Sequence, residues 1–112
     1  MEPGTEAVLL RIFVGESDHW HGRPLHVAIV EEARKQGLAG ATVIRGMEGF
    51  GAKSVIHTAR LLELSSDLPI VVEIVDTQAK IDSFLPKVEE MVGDGLATLE
   101  KVRVLFYRHQ KS

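Results

Sequence analysis

The sequence predicts an α+β domain, and three patterns carry that prediction. Residues 6 to 14 alternate Val8, Leu10, Ile12 and Val14 with Ala7, Leu9, Arg11 and Phe13, which is the period of a strand. Two other segments, from Leu25 to Ala33 and from Ile81 to Val92, repeat their apolar residues at helical spacing. Ile70-Val71-Val72-Glu73-Ile74-Val75 is β-branched except for its glutamate and reads as a second strong strand. At 112 residues the chain fits a single domain spanning 1–112, large enough for a modest core.

The elements follow in order. The first strand, 6 to 14, is apolar on nearly both faces. After the polar loop Gly15-Glu16-Ser17-Asp18-His19-Trp20-His21-Gly22, Pro24 stands where a helix starts, because its locked φ suits the first turn. Leu25, Ala28, Ile29 and Ala33 form the inward stripe of that helix, and Gly37 ends it. Residues 41 to 45 read as the next strand, feeding Arg45-Gly46-Met47-Glu48-Gly49-Phe50-Gly51. Between 51 and 67 only Val55, Ala59 and Leu62 make a helical stripe before Ser65-Ser66-Asp67 and Pro69 interrupt it. That segment reads as a long connecting loop, a length at which function is the usual reason.

The strand from 70 to 75 comes next, and Asp76-Thr77 then offers an N-cap to a helix with the stripe Ile81, Phe84, Leu85, Val88, Met91 and Val92. Pro86 removes one internal hydrogen bond, so this helix either kinks or begins near Ser83. Gly93-Asp94-Gly95 ends it. A last strand is expected from 99 to 107, with Val102, Val104 and Phe106 opposite Arg103, Leu105 and Tyr107, before a polar, frayed tail from Arg108.

Strand, helix, strand, strand, helix, strand is the split βαβ, or ferredoxin-like βαββαβ, arrangement: a four-stranded antiparallel sheet with two helices on one face. The other face of that sheet meets water, yet the first strand carries apolar residues on both sides. A homo-oligomer that packs sheet faces together resolves the conflict.

Composition removes several classes of function. The chain has no cysteine, and so no disulfide, no thiolate metal site, no thiol nucleophile and no thiol redox chemistry. A formal net charge of −3, with both signs interspersed, does not favour nucleic acid. No run approaches the roughly 18 apolar residues of a membrane span. The N-terminal Met1-Glu2-Pro3-Gly4-Thr5-Glu6 is acidic and lacks an apolar stretch before a cleavage site, which points to the cytoplasm.

Three glycines within six positions, directly after a strand, allow backbone N–H groups to crowd around an anion, with Arg45 and Lys53 supplying charge on either side. A glycine-rich hairpin or mobile loop with no ligand is the alternative. Lys53, His57 and Arg60 fall on one side of a helical turn and could grip the same anion. His19 and His21, two apart in an extended segment, could offer imidazoles to a divalent metal, with Glu16 or Asp18 completing the site; Asp18 could equally be a turn former. Glu16, Ser17 and His21 also contain the residue types of a hydrolytic centre, but no nucleophile-elbow pattern surrounds any serine considered, so no catalytic residue is assigned. Trp20 could stack on an adenine or simply pack. Arg11 and Arg103, within apolar strands, require partners such as Glu73 or Glu100.

The segments Gly15-Glu16-Ser17-Asp18, His21-Gly22-Arg23-Pro24-Leu25, Gly37-Leu38-Ala39-Gly40-Ala41-Thr42-Val43, the glycine segment from Arg45, Leu64-Ser65-Ser66-Asp67-Leu68-Pro69 and Val75-Asp76 together resemble a bacterial and archaeal PII-like family, long labelled a domain of unknown function. The resemblance covers nearly the whole chain in matching order. It implies a trimer that binds an adenine nucleotide (ATP, ADP or AMP) or a related phosphorylated effector in clefts between subunits. By position, it places Arg45, Gly46, Gly49, Phe50 and Gly51 at the base of the long loop, Gly93, Asp94 and Gly95 in a second loop, and Arg103 and Arg108 at the basic end. Two features depart from the PII proteins. The long loop lacks the tyrosine that they modify, the only tyrosine being Tyr107, and Val92-Gly93-Asp94-Gly95-Leu96 lacks their phosphate-binding lysine, a charge that Lys53 or His57 could replace. The expected protein is a regulatory sensor rather than an enzyme, in which ligand orders the loop from 49 to 67 and that loop addresses a partner such as a membrane transporter or channel.

Overall fold

A computed structural model of the chain describes residues 4–46 and 68–108. Strand β1 spans Thr5–Gly15, a short β2 His19–Trp20, β3 Arg23–Pro24, helix α1 Leu25–Lys35, β4 Thr42–Arg45, β5 Pro69–Asp76, helix α2 Gln78–Met91 and β6 Leu96–Val104. The expected loop from 51 to 67, and the tail beyond Arg108, lie outside the described residues.

Four strands form one antiparallel sheet in the order β4-β5-β1-β6, the ferredoxin-like arrangement that the element order implied. Alternation in β1 decides which side chains go inward: Val8, Leu10, Ile12 and Val14 are buried, as are Ile70, Val72 and Ile74 of β5. Against them lie Leu25, Ala28, Ile29 and Ala33 of α1 and Ile81, Phe84, Val88 and Met91 of α2. Both helices therefore cover the same face. On the opposite face Leu9, Arg11 and Phe13 are half-buried. Arg11 has the two partners expected for it, Glu73 at 2.9 Å and Glu100 at 2.6 Å, and these carboxylates, Glu73 foremost, raise its already high pKa.

The helix ends follow from local chemistry. Gly37, at φ +78°, takes the left-handed position after α1, so that Gly37 N–H donates to Arg34 O and Leu38 N–H to Ala33 O. Those two bonds satisfy carbonyls that the helix leaves unpaired, in the manner of a Schellman motif, and Leu38 packs back on the core. Thr77 caps α2 by accepting a hydrogen bond from Lys80 N–H, and the helix runs through Pro86 without a break. The alternative start near Ser83 is not used, because the buried stripe from Ile81 to Met91 holds both halves against the sheet.

Two expectations are corrected. The polar loop after β1 contains the β2/β3 ladder, turning at His21 (φ 50°) and Gly22 (φ 79°), a pair of left-handed residues of the kind that closes tight hairpins. The last strand begins at Leu96, opposite Phe13, and ends at Val104, opposite Thr5; alternation continues to Tyr107, but β1 offers no further partner there.

Candidate functional site

The register of the sheet decides which candidate residues meet. At one end Gly15 faces Pro69, Arg45 faces Ile70, and Phe13 faces Leu96, so the exits of β1 and β4 and the entries of β5 and β6 converge. Arg45, Gly46, Gly93, Asp94 and Gly95 all belong to this end. Gly49, Phe50, Gly51 and Lys53 lie outside the described residues, as do His57 and Arg60.

Two of these glycines have reasons within the fold. A Cβ on Gly46 would stand 2.7 Å from Pro69 Cγ, and one on Gly95 would stand 2.6 Å from Phe13 O and 2.8 Å from Val92 Cγ1. No side chain fits at either position without moving a neighbour. The Gly46 N–H donates to Pro69 O at 2.7 Å, so it is already engaged within the chain. Gly93, by contrast, faces open space.

The turn after β1 is shaped by Asp18. Its carboxylate accepts from Gly15 N–H at 2.9 Å, its own N–H donates to Gly15 O, and its carbonyl accepts from Leu25 N–H as α1 begins. Asp18 thus acts as the turn former. Between this turn and the Gly93-Asp94 loop lies an open cleft of about 290 Å3, lined by Ser17, Asp18, His19, Leu25, Met91, Gly93 and Asp94. Its walls offer hydroxyl, imidazole, carboxylate and backbone groups above an apolar floor.

Glu16 stands beside the histidines in the sequence, and its pairing with Arg45 is the contact that sequence reasoning missed. Its two oxygens hold Arg45 side-on, with Nε to Oε2 at 2.6 Å and Nη2 to Oε1 at 2.8 Å. The signal was available in the antiparallel order of strands, which puts the exit of β1 beside that of β4 across the start of β5, but composition alone grouped Glu16 with the neighbouring histidines.

Those histidines are not arranged as the extended pair expected of a metal site. His19 Nδ1 lies 2.6 Å from Ser17 O, whereas His21 sits in the hairpin turn and stacks on Trp20, centroids 4.2 Å apart. Among the described residues no group of three or more His, Asp or Glu gathers as a metal would require. Trp20 packs on the core, with Lys87 Nζ 5.9 Å from its ring.

Arg103 and Arg108 do not join the cluster. At about 3.4 Å per strand residue, Arg103 lies about 24 Å along β6 from Leu96, level with Glu6 at the far end of β1. Arg108 stacks over Phe106 at 4.6 Å, and Tyr107 donates to Ala39 O at 2.8 Å, tying this segment to the loop before β4. The chain therefore carries Gly46 and Gly93 to Gly95 at one end of the sheet and the basic residues at the other.

A family profile, DUF190 (Uncharacterized ACR), matches residues 7–104. The chain belongs to the DUF190 family. It is 44% identical over 100 residues to a UPF0166 protein of Aquifex aeolicus, covering 88% of this chain and 92% of that relative. A UPF0166 protein of Methanocaldococcus jannaschii is 32% identical with the same coverage. Among solved structures, the DUF190 chain is similar to CPII, a nitrogen regulatory PII-like protein from Thiomonas intermedia K12, bound to ADP, AMP and bicarbonate. That likeness has a TM-score of 0.65 and covers 91% of each chain at 15% identity, so it establishes a shared PII-like fold. Among the described residues of this DUF190 protein, no helix is long and apolar enough to cross a membrane.

Proposed function

We propose that this chain is a PII-like cytoplasmic sensor, assembled as a trimer, that binds an adenine nucleotide in clefts between subunits. One observation carries the reading: Arg45 and Gly46, leaving β4, and Gly93 to Gly95, entering β6, lie at the same end of the sheet as an open cleft lined in part by Gly93 and Asp94, while Arg103 and Arg108 stand at the other end of the same chain. A cyclic neighbour can bring its basic end to this subunit's glycine loops. The ADP and AMP held by CPII, a protein of the same fold, support an adenine nucleotide as the ligand class.

In this reading Arg45 and the neighbour's Arg103 and Arg108 neutralise the phosphates, and Gly93 leaves room for close backbone approach. Gly49, Phe50, Gly51 and Lys53 complete the loop base by their positions in the sequence. Occupancy is read by a partner, a membrane transporter or channel, through the segment from 49 to 67. The nucleotide acts as an effector and not as a substrate. Such a switch requires the effector to bind one state of the protein better than the other. Titration calorimetry against ATP, ADP and AMP tests the reading, with saturable binding of at least one as the expected result. Hydrogen exchange over 49–67 then tests the readout, which predicts protection that changes with ligand.

A further inference from the structure

Arg45 is not an isolated cation at this end of the sheet. Glu16 holds it side-on by both carboxylate oxygens, and the backbone is tied down at Glu16 and just after Arg45: Glu16 N–H donates to Leu68 O and Gly46 N–H to Pro69 O, both at 2.7 Å. The Glu16 side chain is 24% exposed against 58% for Arg45, so the guanidinium extends past a sheltered carboxylate. A guanidinium is a planar fork of five N–H donors. This pair takes the Nε/Nη2 edge, and among the described residues nothing engages Nη1, which faces a ligand in this proposal. A phosphate held there lies across the guanidinium from the Glu16 carboxylate. Described loop residues 15–19, 45–46, 68–69 and 93–96 set three carboxylates, Glu16, Asp18 and Asp94, against the single guanidinium of Arg45.

We propose that Glu16 is a specificity-determining residue: it aims the Arg45 fork and makes the site discriminate against each negative charge added to the ligand. The inference rests on the reading of this sheet end as a phosphate site. Aiming the fork helps every ligand alike, whereas repulsion from Glu16 grows with ligand charge. The two effects have opposite signs, and a charge series separates them.

The experiment titrates the parent and Glu16→Gln with AMP, ADP and ATP, and with inorganic phosphate, pyrophosphate and triphosphate, at low and at high salt. Glutamine keeps the length of the side chain and one carbonyl acceptor but loses the charge. Glu16→Gln is expected to bind more tightly, the gain growing by about threefold to tenfold with each added phosphate and shrinking at high salt. Uniform weakening across the series, or no change, overturns the proposal and leaves nucleotide binding by the parent standing. If the parent binds none of these anions but Glu16→Gln binds them in order of charge, the charge filter stands and the nucleotide reading of the parent falls. If neither binds any of them, both fall.

Discussion

At the scale of single residues, the glycines separate into those the fold requires and those a ligand could use. Gly95→Ala places a Cβ 2.6 Å from the Phe13 carbonyl, a backbone atom of the central β1 strand that cannot yield cheaply. Overpacking of this kind costs about 1–3 kcal/mol, and thermal unfolding is expected to show a lowered midpoint. Arg45→Ala should behave in the opposite way. Its exposed pair with Glu16 contributes about 1 kcal/mol or less to stability. Loss of a charged hydrogen-bonding partner is expected to weaken nucleotide binding by about tenfold to a hundredfold, read by calorimetry with the unfolding midpoint nearly unchanged. The sequence announced that Arg45 and the glycines were unusual. It did not disclose Glu16, because that contact spans β1 and β4 and depends on both pairing with β5.

At the scale of elements, local signals were legible wherever the chemistry was local. Gly37 and Thr77 announced the ends of their helices, and the structure uses both. Gly37→Ala forces a Cβ into the left-handed region and is expected to cost about 1–2 kcal/mol. Thr77→Ala removes the acceptor for Lys80 N–H and should cost about 1 kcal/mol. Chemical denaturation of the two variants, at unchanged slope, checks both. What was not legible depended on partners elsewhere in the chain. Residues 105 to 107 keep the alternation of a strand, yet no β1 residue remains to pair with them. The β2/β3 ladder was hidden because each strand is two residues long, too short for periodicity to register.

At the scale of the whole molecule, apolar surface remains on both edge strands. Val43 and Ile44 of β4 are 41% and 46% exposed, and Leu96 and Leu99 of β6 are 58% and 43% exposed. Leu105 and Phe106 beyond β6 are exposed as well. Together with the half-buried sheet face around Leu9 and Phe13, this is the surface expected of a subunit. Leu9→Lys is expected to shift the protein toward monomer in mass photometry by placing an unpaired charge in the interface. A parent that is wholly monomeric at micromolar concentration would falsify the assembly.

The central claim is that the ligand site is shared between subunits, and complementation tests it most directly. Arg45→Ala and Arg103→Ala each remove one side of the proposed cleft. Co-expressed as mixed trimers, they recreate intact sites wherever a subunit that retains Arg45 meets a neighbour that retains Arg103, about a quarter of all sites for random cyclic assembly. Calorimetry of the purified mixture should then recover that fraction at parental affinity, although each variant alone binds weakly. Absence of any tight class in a mixture shown to contain both subunits would contradict a site built across the interface.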